Sequence, residues 1–244
     1  MELSAMFWKS FPFLPQSSKK SSMDNLIDAL ASQLQGVEPL PRITASQKLL
    51  FLRYLTELQN WNDKVRLTAD PAPERLIHVH LFDSLQFGRL IHPTGSLTDI
   101  GSGGGFPGIP LKILYPDLQV VLIESRRKRA NFLRHITRVL KFEQTAVLEG
   151  RGEEVALPFP SGCDQVVFRG FSELATNLSV GERHLKSGGI VVVQKDRGEF
   201  VPGVTPLPSG WIADKDIPFT GIDSKESCIL SFKKQDLALF HVKQ

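Results

Sequence analysis

The stretch that decides the fold is Asp99–Gly108, which reads Asp-Ile-Gly-Ser-Gly-Gly-Gly-Phe-Pro-Gly. It follows the short apolar run Leu97–Ile100 and opens a segment of helical pattern from Pro107 to Leu114. Glycines at such a turn permit positive φ angles and close approach of a ligand to the backbone, and a helix N-terminus favours electron-rich groups. The stretch therefore predicts a strand, a ligand-binding turn and a helix.

Further short runs of Val, Ile and Leu follow and alternate with helical stretches. They are continuous rather than alternately polar, which is typical of strands buried on both faces of a parallel sheet. We expect strands at 120–123, 146–148, 166–168 and 190–193, and helices at 126–140 and 172–185. Two later segments, Trp211–Ile217 and Cys228–Phe232, are expected to pair as an antiparallel hairpin at the sheet edge.

Upstream of the glycines the pattern is helical. Leucines recur every four residues from Leu26 to Leu34 and every three within Ser46–Trp61, and a third helix is expected after Pro73. The chain is therefore expected to comprise a disordered extension at 1–22, a helical N-terminal region at 23–92, a sheet domain at 93–235 and a tail at 236–244.

Composition limits the class of protein. The 244 residues are 41% hydrophobic and 23% charged, which is typical of a globular chain and excludes a disordered or coiled-coil protein. No apolar run approaches the roughly 20 residues that cross a bilayer, so we expect no membrane association. Cys163 and Cys228 are too few for a disulfide framework or a four-cysteine zinc site. The expected location is the cytoplasm.

Glu124 is a second candidate binding residue, because it ends the predicted strand 120–123. A carboxylate there can accept hydrogen bonds from both hydroxyls of a ribose, which S-adenosylmethionine and NAD equally provide. Residues 103–108 formally satisfy the dinucleotide pattern G-x-G-x-x-G, but the strand ends earlier, at Ile100. The better register is therefore acidic-x-Gly-x-Gly-x-Gly, formed by Asp99, Gly101, Gly103 and Gly105.

That register resembles the first motif of class I S-adenosylmethionine methyltransferases. The continuation Phe106–Leu111, Phe-Pro-Gly-Ile-Pro-Leu, is similar to the RsmG (GidB) family of ribosomal RNA methyltransferases. Further matches stand in family order: Trp61-Asn62, Leu67-Thr68, His80–Ser84, Glu124-Ser125, Lys128-Arg129, Phe132-Leu133, Arg151–Glu154 and Phe168–Phe171. The resemblance implies a class I methyltransferase fold, that is, an α/β Rossmann-like, mostly parallel sheet with helices on both faces, preceded by the helical N-terminal region.

The resemblance also implies an activity, transfer of a methyl group from S-adenosylmethionine to N7 of a guanine in the 530 loop of 16S ribosomal RNA. The implied partner is the small ribosomal subunit or an assembly intermediate, and we expect a monomer without metal. The implied cofactor-binding residues are Asp99, Gly101, Gly103, Gly105, Phe106, Glu124 on the ribose, Gly152 and Glu153 near the adenine, and Arg169. Positioning candidates are His80, Asp83, Arg169 and Lys195; His80 and Asp83 share a helix face and could orient one another.

A basic block without any acidic residue spans Ser125–Phe142. It suits an anionic partner, since phosphate contacts supply most non-specific nucleic-acid affinity, although a solvated helix face is the alternative. With the resemblance, we expect its cations to bind RNA: Arg126, Arg127, Lys128, Arg129, Arg134 and Arg138.

Guanine N7 carries no proton at neutral pH, so its methylation needs orientation rather than a general base, and orientation can contribute ~7–11 kcal/mol. Other functions stay open: a class I methyltransferase of small molecules or proteins, a non-catalytic RNA-binding protein, and an NAD-dependent oxidoreductase. The last would need a pair such as Tyr-x-x-x-Lys, which neither Tyr54 nor Tyr115 forms. Four residues depart from those commoner in the family and leave the substrate contacts open: Arg66 stands where asparagine is usual, Val79 where arginine is frequent, Phe106 where leucine is commoner and Asp196 where glycine is commoner.

Overall fold

A computed structural model describes residues 19–235 of the chain. They form a seven-stranded sheet of order β3-β2-β1-β4-β5-β7-β6, in which β1 to β5 are parallel and β7 runs antiparallel to both β5 and β6. The strands are β1 (Ser96–Ile100), β2 (Gln119–Glu124), β3 (Thr145–Glu149), β4 (Cys163–Phe168), β5 (Leu185–Asp196), β6 (Trp211–Thr220) and β7 (Glu226–Lys234). The predicted fold class is confirmed.

Helices precede the sheet and connect its strands. They are α1 (Lys19–Gln33), α2 (Ala45–Val65), α3 (Pro73–Arg75), a π-helix (Leu76–Leu81), α4 (Phe82–Gln86), a 3₁₀ turn (Phe87–Arg89), α5 (Gly108–Leu114), α6 (Arg127–Val139) and α7 (Leu174–Glu182). Among the described residues, no helix combines the length and the apolar character needed to span a bilayer.

The two faces of the sheet carry separate hydrophobic clusters, because successive side chains of a strand point to opposite faces. In β2, Val120 and Leu122 join the cluster that includes Leu55 of α2, whereas Val121 and Ile123 pack on the other face with residues such as Leu178 of α7. The N-terminal helices thus complete the core of one face of the sheet. The division of the chain at residues 92 and 93 stays a prediction.

The boundaries differ from expectation in a few places. α1 begins at Lys19, four residues before the expected start; residues 1–18 and the tail 236–244 lie outside the described part of the chain. α7 ends at Glu182, and β5 already begins at Leu185, so strand replaces the end of the helix expected at 172–185. The expected hairpin is present, and its second strand, β7, is the one that pairs with β5.

The turn after α2 explains one departure from the family pattern. Thr44 caps the start of α2 in a capping box with Gln47. Arg66 ends the helix in the left-handed conformation, with φ 49°. Asparagine and glycine are favoured at that position of a helix end, so the asparagine commoner in the family has a backbone reason.

Candidate active site

The glycine turn lies between β1 and α5 and is bonded to the neighbouring strand. Gly101, Gly103 and Gly105 have φ angles of +79°, +57° and +100°, which other residues adopt at a cost. The N–H groups of Gly101 and Ser102 donate to the carbonyl of Ile123 at 2.9 and 3.0 Å. The predicted strand, turn and helix are thus present, with the turn at the carboxyl edge of the parallel strands.

Asp99 lies fully buried beneath this turn. Its Oδ2 accepts a hydrogen bond from the N–H of Gly108 at 2.9 Å, whereas Oδ1 is buried without a hydrogen-bond partner among the described residues. Burial raises the pKa of Asp99 to about 7. An unpaired buried acceptor of this kind suits a ligand that brings a donor or a positive charge to the turn.

Glu124 holds the glycine turn in place. It is only 5% exposed, and its Oε2 accepts from the N–H of Gly103 at 2.9 Å while Oε1 accepts from the N–H of Arg126 at 2.7 Å. A carboxylate offers about four lone-pair sites, so each oxygen retains one for a further donor. Glu124 can therefore support the turn and still accept hydrogen bonds from two hydroxyls.

A cavity of about 210 Å³ opens beside the turn, and we name it the β2 cavity. A Cβ atom on Gly101 would stand 2.7 Å from the ring of Phe171, and one on Gly152 would stand 2.6 Å from Ile100, so both positions depend on glycine. The lining residues are Gly101, Ile123, Ser125, Gly150, Arg151, Gly152, Glu153 and Phe171. The apolar side chains of Ile123 and Phe171, with the Glu124 carboxylate next to Ile123 in the chain, fit the adenosyl end of S-adenosylmethionine.

Arg169 follows β4 directly and joins residues from three other segments. Its Nε donates to Oε1 of Gln194 at 3.2 Å, and both Nη atoms lie 3.2 Å from Nδ1 of His80. Its Nη2 is also 3.6 Å from Oδ2 of Asp83, which accepts from Nε2 of Gln194 at 2.8 Å. His80 and Asp83 were expected to orient one another; in the structure, Arg169 is the group that both of them contact.

His80 is neutral in this arrangement. Since Nδ1 accepts from Arg169, the ring proton belongs on Nε2, which donates to Oγ1 of Thr68 at 3.1 Å. Burial, followed by the charge of Arg169, lowers the pKa of His80 to about 4. The ring stacks on Phe106 with 5.1 Å between centroids, and the Arg169 guanidinium lies 5.8 Å from the same Phe106 ring. Phe106 thus supports the cluster with its side chain.

A second cavity, of about 410 Å³, lies on the other side of residues 169–171, and we name it the β5 cavity. Arg169 and Gly170 line it, as do the departing residues Val79 and Asp196. Four ion pairs surround it: Arg75–Asp223 at 3.4 Å, Arg169–Asp83 at 3.6 Å, Lys195–Glu199 at 3.4 Å and Lys225–Asp196 at 2.7 Å. The candidate Lys195 therefore lies here, where its Nζ also donates to the carbonyl of Ser172 at 3.2 Å.

Comparison with known proteins identifies the family. A family model described as rRNA small subunit methyltransferase G matches residues 47–200, more than half of the chain and most of both cavities. The chain belongs to this family. It is accordingly an S-adenosylmethionine-dependent methyltransferase, and the expected resemblance is confirmed.

Individual relatives agree with this assignment. The chain is 38% identical to the ribosomal RNA small subunit methyltransferase G of Geotalea uraniireducens over 156 residues, 64% of this chain and 71% of the relative. It is 37% identical to that of Xanthomonas campestris pv. campestris over 213 residues, 84% of this chain and 94% of the relative. Among solved structures, a mutant of MtNAS shares the fold at 13% identity, with a TM-score of 0.50, 90% of this chain covered and 100% of that chain.

Sequence reasoning assigned no role to three residues that contact the candidate site, namely Tyr54, Thr68 and Gln194. Tyr54 is buried in α2, and its hydroxyl donates to the carbonyl of Gly104 at 2.7 Å. The signal was a lone hydroxyl on an otherwise apolar helix face. Thr68 stood within a quoted motif without a role, and Gln194 is the polar residue that follows the apolar run 190–193.

The cations expected to bind RNA in this family member fall into two groups. Arg126, Arg127 and Lys128 are exposed next to Glu124, and their side chains have no partner among residues 19–235. The others are engaged within the protein: Arg129 Nη2 donates to the Arg66 carbonyl at 3.2 Å, Arg134 pairs with Glu149 at 3.1 Å, and Arg138 Nε donates to the Arg134 carbonyl at 3.2 Å.

Proposed function

We propose that this chain methylates N7 of a guanine in the 530 loop of 16S ribosomal RNA. The observation that carries the proposal is the match of the rRNA small subunit methyltransferase G model to residues 47–200, which include the glycine turn, Glu124 and the Arg169 cluster. These groups lie together at the carboxyl edge of the sheet, where ligands of open α/β sheets bind.

We assign the β2 cavity and the glycine turn to the cofactor, which supplies an activated methyl group on a sulfonium when bound. The backbone of Gly101, Gly103 and Gly105 would hold its methionyl part above Asp99. Glu124 would accept the ribose hydroxyls, and Gly152 and Glu153 would border the adenine. Arg169, whose guanidinium lies over the Phe106 ring, is two residues from Phe171 of the cavity lining.

The protein's own part in the reaction is orientation. Guanine N7 presents an unprotonated lone pair in the ring plane, so no group has to remove a proton. Two of the neighbouring titratable side chains are already engaged: His80 accepts from Arg169, and the Tyr54 hydroxyl donates to Gly104. Rigid, mutually hydrogen-bonded side chains of this kind fix a substrate and exclude water, which is the contribution the reaction needs.

We assign the RNA phosphates to the exposed start of α6. The three cations without internal partners, Arg126, Arg127 and Lys128, adjoin Glu124 and hence the mouth of the β2 cavity. The natural substrate would be the small subunit or an assembly intermediate in the cytoplasm, met by a monomer that needs no metal. Among the described residues, no three His, Cys, Asp or Glu side chains cluster as a metal site would require.

The direct test uses labelled S-adenosylmethionine and small subunits from a strain that lacks this modification. We expect label in N7-methylguanosine of 16S RNA. Cofactor binding without label in any RNA would contradict the proposal and favour a methyltransferase of small molecules or proteins.

A second test concerns the RNA surface. Replacing Arg126, Arg127 and Lys128 together by Gln should weaken RNA binding and flatten its salt dependence, by about 0.7 in logarithmic slope for each phosphate that the variant no longer neutralises. Cofactor affinity, measured by calorimetry, should not change. Lys233 and Lys234, which end β7 between β5 and β6 and pair with Asp214 and Glu182, provide the control. An unchanged slope would show that the start of α6 is only a solvated face.

A further inference from the structure

In the β5 cavity the positive side chains are paired with negative ones, and this pairing limits the kind of ligand that the cavity can bind. Arg75, Lys195 and Lys225 each face a carboxylate that lines the same cavity. A phosphate site would need cations without such partners, which the start of α6 offers and this cavity does not. The lining therefore suits a neutral, polar group that both donates and accepts hydrogen bonds, such as a nucleobase taken out of its stack.

Asp83 is the most enclosed carboxylate of this cavity. Its side chain is 13% exposed, compared with 33% for Asp223 and 49% for both Asp196 and Glu199. Gln194 and Arg169 hold its Oδ2. Its Oδ1 accepts no hydrogen bond from the described residues, and this oxygen is not fully buried. One fixed acceptor is thus left open to an incoming group.

Guanine matches that acceptor. Its N1–H and its 2-amino group are adjacent donors on one edge, whereas adenine presents an acceptor at N1. An ionised carboxylate only accepts hydrogen bonds, so it binds guanine's edge and repels adenine's. N7 lies on the opposite side of the purine, and a guanine held at Asp83 would direct N7 away from it. Arg169 and Gly170 line the β5 cavity and the next residue, Phe171, lines the β2 cavity, so the base would adjoin the cavity to which the cofactor is assigned.

We propose that the β5 cavity receives the target guanine and that Asp83 selects it, with Oδ1 accepting hydrogen bonds from N1–H and the 2-amino group. This inference rests on the proposed function. Gln194 and Arg169 are positioning residues, because they fix the carboxylate through Oδ2 and leave Oδ1 for the base.

The test compares guanine with inosine, which lacks the 2-amino group. Small subunits are reconstituted with 16S RNA ligated to carry either base at the target position, and kcat/KM is measured for each. The wild-type protein should prefer guanine by about 10-fold or more, as expected for a hydrogen bond to a charged acceptor. A wild-type ratio of one would overturn the proposal without any variant.

Asp83→Asn sharpens the test. The Gln194 amide, which donates to Oδ2, and the nearby Arg169 guanidinium would hold the amide oxygen there, so the amide NH₂ group would replace Oδ1 and face the donors of guanine. We expect the preference for guanine to fall to about one, with cofactor affinity unchanged. The control is Asp223→Asn, which removes another carboxylate of the same cavity. It should keep the wild-type ratio of kcat/KM for guanine and inosine. If Asp83→Asn slows both substrates equally, Asp83 is no selector; if the wild-type protein methylates neither, the proposed function itself fails.

Discussion

The two cavities that adjoin residues 169–171 differ in the groups that line them. The β2 cavity has three glycines in its lining, at 101, 150 and 152, beside two apolar side chains and the polar residues Ser125, Arg151 and Glu153. The β5 cavity is lined by long side chains tied to one another in ion pairs. Where glycine backbone lines a cavity, an added side chain collides with its neighbours. Where side chains line a cavity, each of them can be substituted without moving the backbone. Binding at the β2 cavity should therefore be weakened most by substitutions that add atoms. Binding at the β5 cavity should be weakened most by substitutions that remove a charge.

The largest effect is expected at Arg169. Arg169→Leu removes the partner of His80, Gln194 and Asp83, and it leaves the largely enclosed Asp83 carboxylate with Gln194 but without its cation. Breaking a buried ion pair in this way costs about 4 kcal/mol in unfolding free energy, measurable by urea denaturation. Arg197→Leu is the control, because its pair with Glu226 is exposed and its loss should cost under about 1 kcal/mol. Equal losses in the two variants would remove the distinction between buried and surface pairs here.

The next effect concerns Asp99 beneath the β2 cavity. Because burial raises its folded-state pKa to about 7, above the usual value near 4, ionising this group costs stability as the pH rises through that range. Asp99→Asn keeps an acceptor for Gly108 and should gain roughly 3 kcal/mol relative to wild type between pH 5 and pH 8.

Asp164→Asn provides the contrast for this measurement. Burial raises the pKa of Asp164, but hydrogen bonds from Lys186 and Ser96 outweigh that effect and lower the pKa to about 2. Both its folded and unfolded pKa values then lie below 5, so its stability difference from wild type should stay constant from pH 5 to pH 8. A flat profile for Asp99→Asn would contradict the assigned burial effect.

The smallest effect is expected for a substitution in the glycine-lined part of the β2 cavity. Gly101→Ala would place a Cβ atom 2.7 Å from Phe171, so the Phe171 ring would have to move in the cavity wall. We expect S-adenosylmethionine affinity to fall about 10-fold, which corresponds to about 1.4 kcal/mol of binding free energy. Gly188→Ala has a similar φ, +76° against +79°, but meets no atom within 4 Å. Both variants should lose about 1–2 kcal/mol of stability from backbone strain, and only the first should lose affinity. Unchanged affinity in Gly101→Ala would place the cofactor elsewhere.

The contrast between the cavities also explains what the sequence could predict. The β2 cavity follows from local features: Asp99–Gly108 is one continuous stretch, and Glu124 ends the adjacent strand. The β5 cavity brings together residues 75–83, 169–170, 194–199 and 221–227. Their spatial meeting depends on where β7 pairs and where the helix before the sheet packs, which no local pattern encodes. Gln194 accordingly received no role, and Lys195 was named without its partner Glu199.

The π-helix at Leu76–Leu81 has a consequence for the whole substrate side. Its wider turn contains one residue more than an ordinary helix would, and such turns are found mostly at functional sites. His80 lies within this π-helix and Asp83 follows it, and both contact Arg169. Deleting one residue between 76 and 79 would restore regular winding and rotate both side chains by about 100°. The winding of this single turn therefore affects how His80 and Asp83 are directed towards Arg169.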